Sequence, residues 1–278
     1  MLTEVRFQLA GCDGEQPLIV VPAYVNDKGP YDFILDTGAG ISLVSPALAH
    51  RLGITAMDSE ERTGAGGKIK VLLGRVRSLA IGEARLGLDQ VRISDELERI
   101  SAAVGQRIYG DIGYDYLKHF RVTIDYREGT LGLAQEKQEP EDVSTSACAE
   151  VEFKLANPAK PLVLVPTFVN GTGPYQFALD TGASSTVVSP ELTQNLGIAS
   201  VGVGTGIGAG GEIQVSACTV ESLGVGDAEL TDLLVVVADF LGMLSQVVGE
   251  KLDGVVGYNY LREFRVTIDY PNQLLRLE

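Results

Sequence analysis

The 278-residue chain has no tryptophan, only two histidines (His50 and His119) and only three cysteines (Cys12, Cys148 and Cys218). Two histidines leave little from which to build a histidine-based zinc site, and the same scarcity argues against a Ser-His-Asp or Cys-His nucleophilic set. Three cysteines cannot all pair internally, and none stands at a metal-ligand spacing, so buried structural thiols are the expected role. Positive charge is also short: 22 Lys and Arg face 37 Asp and Glu, a formal net charge of −15. That balance argues against nucleic acid or an anionic membrane as partner and fits simple solubility. No apolar run reaches the ~20 residues of a membrane span. The opening MLTEVRFQLAG lacks the basic start and apolar stretch of a signal peptide. A cytoplasmic protein fits best, with a periplasmic or secreted one left open should a signal peptide have been removed.

What the chain does have is glycine (33) and proline (11) on a 45% hydrophobic background, the punctuation of a turn-rich β protein with a packed core. It also has an internal repeat. LIVVPAYVNDKGPYDFILDTGAGISLVSPALAHRLGI (18–54) recurs as LVLVPTFVNGTGPYQFALDTGASSTVVSPELTQNLGI (162–198), identical at 21 of 37 positions. GDIGYDYLKHFRVTIDY (110–126) matches GVVGYNYLREFRVTIDY (254–270) at 12 of 17. The offset is 144 residues at every landmark, so the chain is two copies of one fold with no net insertion between landmarks. A polar, acidic stretch separates them. The expected division is a lobe over 1–135, a linker over 136–149 and a second lobe over 150–278.

Each copy reads as mostly β. In the first, Leu18–Val25 and Tyr31–Leu35 are expected strands, separated by the turn Asn26-Asp27-Lys28-Gly29-Pro30. Ser45-Pro46 starts a helix, with serine as cap and proline at the first helical position. Thr63–Leu73 reads as a hairpin with glycines at its tip, followed by strands over Arg75–Ile81 and Leu86–Ile93. A weaker helix signal covers Asp95–Val104. A short helix at Tyr114–His119 and a strand at Arg121–Tyr126 close the copy.

At the end of its second strand each copy carries Asp-Thr-Gly-Ala: Asp36-Thr37-Gly38-Ala39 and Asp180-Thr181-Gly182-Ala183. One such motif alone is usually just a turn. Two in register, each after Phe-x-Leu and before a Ser-Pro helix start, are more specific. With them come the glycine-rich segments Gly64-Ala65-Gly66-Gly67 and Gly208-Ala209-Gly210-Gly211, and an apolar-apolar-Gly segment, Val255-Val256-Gly257. On these motifs the chain resembles the retropepsin-like aspartic peptidases, over nearly all of both halves.

The resemblance implies an all-β, bilobal acid-peptidase fold, two retropepsin-like lobes about a pseudo-two-fold axis with the active site between them. It implies catalysis by Asp36 and Asp180 without a cofactor or metal. Two carboxylates close enough to share a proton can supply both the base that activates water and the acid that protonates the leaving group. Such a pair titrates as a unit, so neither can be named acid or base from sequence. By the same resemblance Thr37 and Thr181 lock the two loops together across the lobe boundary, and the Gly-Ala-Gly-Gly hairpins are flaps over an extended peptide substrate. Gly38 and Gly182 let backbone approach the aspartates. Pepsin-like enzymes carry a hydroxyl where this chain has Ala39 and Ala183. Alanine cannot donate to the carboxylates, so activity is expected at mildly acidic to near-neutral pH.

The halves depart from symmetry in places. Asp111 stands where the second half has Val255, at a position that is apolar in the resembled family, and must be solvated, hydrogen-bonded or protonated. It either tunes the aspartate pair or marks a locally different first lobe, the latter being the favoured reading. Gly40 replaces the hydroxyl of Ser184. Val201–Gly208 holds four glycines where Met57–Gly64 is charged, so the two hairpins should differ in mobility. The expected function is an aspartic endopeptidase acting on extended, largely apolar peptide, active as a monomer. The alternatives are a peptide-binding or regulatory protein that kept the fold but lost turnover, and a scaffold whose lobes pair between chains.

Overall fold

The computed structural model describes residues 2–11, 17–135, 149–208 and 210–278. Cys12, Cys148, Ala209 and residues 136–148 of the expected linker lie outside them. Residue 149, assigned to the linker from sequence, instead begins the strand Ala149–Glu152.

Each copy builds an eight-stranded sheet. In the first the order is Gln8–Ala10, Leu18–Val25, Lys28–Leu35, Gly110–Ile112, Leu43–Val44, Ala84–Ile93, Gly67–Ile81 and Asp58–Gly64. The second has the same order: Lys154–Asn157, Lys160–Val169, Thr172–Leu179, Gly254–Val256, Val187–Val188, Ala228–Val237, Gly211–Val225 and Val201–Gly208. The turn between the first two long strands is tight because Asn26 and Asp27, and Asn170 in the second copy, adopt positive φ, which asparagine and aspartate tolerate better than most residues. Ser45 and Ser189 cap the helices Pro46–Leu52 and Pro190–Asn195, accepting from Leu48 N and Leu192 N at 3.2 and 3.1 Å.

Two expectations change in detail. The second arm of the hairpin and the strand after it are one 15-residue strand, Gly67–Ile81, because its buried residues continue through Val71, Leu73, Val76 and Leu79. The weakly signalled helix forms in both lobes, as Glu96–Val104 and Phe240–Val248, each burying one side and ending at a left-handed glycine.

A third sheet joins the lobes. Its order is Leu2–Arg6, Thr130–Ala134, Arg121–Asp125, Arg265–Asp269, Leu274–Leu277 and Ala149–Glu152, three strands from each half. At its centre Arg121–Asp125 runs antiparallel to Arg265–Asp269 with Thr123 opposite Thr267, their hydroxyls 3.1 Å apart. Those residues are one offset apart, so the pseudo-two-fold axis passes between them. The main hydrophobic core is continuous across this sheet, from Phe33 and Tyr116 in one lobe to Phe177 and Tyr260 in the other. Each of the two tyrosines is buried with its hydroxyl donating to a backbone carbonyl (Ala84 and Ala228), both at 2.5 Å. Burying large side chains at roughly 1.5–3 kcal/mol each makes that shared core the main bond between the halves.

Asp111 corrects the favoured expectation. Gly110–Ile112 lies between Lys28–Leu35 and Leu43–Val44, with Asp111 opposite Ile34 and Leu43, while Val255 sits opposite Ala178 and Val187 in the same way. The backbone of the first lobe is therefore not locally different. An aspartate has been placed in an unaltered strand.

Candidate active site

The two Asp-Thr-Gly loops meet where the lobes face each other. Each follows a long strand and is pinned from below by the short central strand: Asp36 N donates to Ile112 O and Asp180 N to Val256 O, both at 3.0 Å. Tyr114 N and Tyr258 N donate to Ala39 O and Ala183 O, both at 2.8 Å, and close the far end of each loop. Ser42 adds a further tie in the first lobe, donating to Asp115 Oδ1 and accepting from Gly113 N. Thr186 and Asn259 play the matching parts in the second.

Thr37 and Thr181 interlock. Thr37 N donates to Thr181 Oγ1 and Thr181 N to Thr37 Oγ1, each at 3.1 Å. The hydroxyls in turn donate across the boundary to Leu179 O (2.9 Å) and Leu35 O (2.7 Å). Both threonines are buried, so this pattern satisfies every polar atom of the two side chains.

Asp36 and Asp180 come within hydrogen-bonding reach of each other. Each packs against the glycine of the opposite loop. A Cβ on Gly38 would stand 2.5 Å from Asp180 Oδ2, and one on Gly182 would stand 2.6 Å from Asp36 Cγ. No other residue type fits there. Asp36 Oδ1 accepts from Gly38 N (2.7 Å) and Ala39 N (3.1 Å); Asp180 Oδ1 accepts from Gly182 N (2.8 Å). Burial, then the charge of Asp36 and the hydrogen bond with it, push the Asp180 carboxyl well above the usual carboxylate range.

The two glycine-tipped hairpins reach toward each other. Gly210 N donates to Ala65 O at 2.6 Å, and a Cβ on Gly66 would meet Gly211 O at 2.6 Å, so the tips touch backbone to backbone. Gly66 also has a φ of +93°. Of the sequence-expected hairpin residues, Gly64, Ala65, Gly66, Gly67, Gly208, Gly210 and Gly211 lie at these tips, and Ala209 falls outside the described residues.

Motif reading missed a charged cluster on the first-lobe side. Arg62, on the hairpin strand, pairs with Glu96 at the start of the helix Glu96–Val104; beside it Arg92 pairs with Glu60 at 2.5 Å. Lys160, from the second half, donates to Thr63 O at 3.1 Å, and its electrostatic neighbours include both aspartates. Burial, then the Arg62 guanidinium, lowers the Lys160 ammonium to about 8. Asp111 lies between the cluster and the pair. It is 5% exposed, within hydrogen-bonding reach of Asp36, and near Glu96 and Arg62. In the second half the residues at the same offset are Gly204, Gly206, Val236, Phe240 and Val255. That mismatch between otherwise matching halves was the available signal. Gly40, for its part, faces Pro161: a Cβ there would stand 3.2 Å from Pro161 Cδ.

Comparison with known proteins agrees with this fold. The family model described as aspartyl protease matches twice, over residues 21–116 and 165–260. Among solved structures, the aspartic proteinase from Irpex lacteus is similar in fold, with a TM-score of 0.57 at 13% identity, covering 100% of this chain and 97% of that one. No curated protein matches the chain in sequence.

Proposed function

Because the chain belongs to the aspartyl protease family, whose model covers the core of both halves, we propose that it hydrolyses peptide bonds with water activated between Asp36 and Asp180. The observation that carries this reading is the pairing of the two carboxyls at the lobe boundary, one of them held above the usual carboxylate range by burial and by the other. A pair sharing one proton holds an acid and a base at the same moment. Water placed between them loses a proton to the ionised member as its oxygen attacks the peptide carbonyl carbon. The protonated member gives its proton to the carbonyl oxygen. The threonine lock keeps both carboxyls in register through these transfers.

The touching hairpins act as flaps in this reading. A substrate has to part them, and an extended peptide can then replace their mutual hydrogen bonds with its own backbone. The lobes differ at matching positions, Val236, Phe240 and Val255 standing where the first lobe has Arg92, Glu96 and Asp111, so the two sides of a bound peptide should meet unlike chemistry. One chain supplies both halves, which supports an enzyme active as a monomer.

Asp36→Asn and Asp180→Asn test the assignment. Each should lower cleavage of a peptide library by several orders of magnitude while leaving the fold intact by circular dichroism, since one carboxyl cannot replace two. Near-full activity in either variant would overturn it.

A further inference from the structure

The pair is not alone: a third buried carboxyl adjoins it on one side only. Asp111 belongs to the short strand that pins the first loop, with its neighbour Ile112 accepting from Asp36 N at 3.0 Å. It is nearly inaccessible, and its Oδ1 has no hydrogen-bond partner among the described residues. Its carboxyl is within hydrogen-bonding reach of that of Asp36. Two carboxyls at that separation and depth cannot both stay charged, so one must carry a proton to the other.

The surroundings decide which. Asp36 already accepts two backbone N–H groups, whereas no donor reaches Asp111 Oδ1 among the described residues. Asp111 faces Asp36 and Glu96, with Arg62 nearby; Nη2 of Arg62 is engaged by Glu96, and its Nε has no hydrogen-bond partner among the described residues. The rest of the pair's surroundings are Lys160, held to Thr63 O, and the buried Tyr270 hydroxyl, with Tyr114 beside it. Among the described residues the second lobe offers Asp180 no counterpart: Val255 cannot donate, and a single backbone N–H reaches the Asp180 carboxyl.

We propose that Asp111 is a positioning residue, whose carboxylic acid donates a hydrogen bond to Asp36 and so fixes Asp36 as the base and Asp180 as the acid. The inference rests on the hydrolytic reading of the pair. In the first step Asp36 takes a proton from water as the water oxygen bonds to the carbonyl carbon, and Asp180 gives its proton to the carbonyl oxygen. In the second, Asp36 passes that proton to the amide nitrogen as the C–N bond breaks, and Asp180 recovers a proton from the hydroxyl. The Asp111 proton stays in place throughout. It supplies the side-chain donor that Ala39 lacks.

The test compares kcat/KM against pH for the full chain, Asp111→Val and Asp111→Asn, on a peptide taken from the library. Valine already fits this strand position in the second lobe, so Asp111→Val is expected to fold. Without the donated hydrogen bond the charged form of the pair loses a stabilising donor, so the acid limb of Asp111→Val should move up by about one pH unit or more. Asp111→Asn keeps a donor, and its limb should stay within a few tenths of a unit of the original. An unmoved limb in Asp111→Val overturns the proposal. So does an equal shift in both variants, or a changed side-chain preference without a shift, which would make Asp111 a reader of substrate. Infrared counting of protonated carboxyls at pH 7 provides an arm that needs no turnover. Wild type should show one more than either variant, and equal counts overturn the proposal. A chain that cleaves nothing defeats the hydrolytic reading, while the infrared band still decides whether Asp111 holds a proton.

Discussion

Thr37 and Thr181 each use a backbone N–H and a hydroxyl across the lobe boundary, so deleting one hydroxyl orphans both a donor and an acceptor in a buried place. Thr37→Ala or Thr181→Ala should cost about 1–3 kcal/mol of stability and reduce activity. Unchanged denaturant midpoints in both would refute the lock. Asp111 predicts the reverse sign. Burial, then the charge of Asp36, holds its carboxyl well above the ordinary 3.8. Between that ordinary value and the raised one, the unfolded chain has released a proton that the folded chain keeps. Stability therefore falls as pH rises through this window. Asp111→Asn removes the penalty, so the variant should gain in midpoint over wild type at pH 7 and lose that gain below pH 3.8. A gain independent of pH would contradict the account. The aspartates and threonines were legible in sequence because each occurs twice in one short motif. Arg62, Glu96 and Lys160 were not, since each acts through a partner 34 or more residues away.

At the scale of elements, the two hairpins differ in how they are held. Asp58–Gly64 is tied to its own lobe by Arg62 to Glu96 and by Glu60 to Arg92, and to the other lobe by Lys160 to Thr63 O. Val201–Gly208 has no charged residue, four glycines, and Val203 85% exposed. The second hairpin should therefore open more often than the first. Amide hydrogen exchange should be faster over 201–208 than over 58–64, and Glu96→Gln should speed the first without changing the second. Equal exchange in both hairpins would contradict this. The contrast in composition was readable from the repeat. The helices Glu96–Val104 and Phe240–Val248 were only weakly so, because their polar and apolar faces are set by what the adjoining hairpin and strands present. The long strand Gly67–Ile81 escaped because Gly74 interrupts its pattern. In the fold a Cβ on Gly74 would stand 2.9 Å from Ile54 Cγ2 and 3.2 Å from Ile93 Cδ1.

For the whole molecule, the repeat made the architecture legible, since a fixed offset admits little besides two copies of one lobe. It carried no information on how the lobes join, because the six-stranded sheet pairs residues far apart in sequence. That sheet takes Arg121–Asp125 from one half and Arg265–Asp269 from the other, so residues 1–135 alone would expose a strand edge and half of a continuous core. The isolated half should be inactive, or active only as a dimer, whereas the full chain should keep its specific activity on dilution to nanomolar concentration. The central claim is that one chain forms one complete hydrolytic site from Asp36 and Asp180. It is tested most directly by native mass spectrometry of the 29.6 kDa chain with a tight-binding peptide bearing a hydroxylated tetrahedral carbon in place of the scissile carbonyl. The account predicts one inhibitor per single chain, lost in Asp36→Asn and in Asp180→Asn; one inhibitor per two chains, or binding unaffected by either substitution, would contradict it.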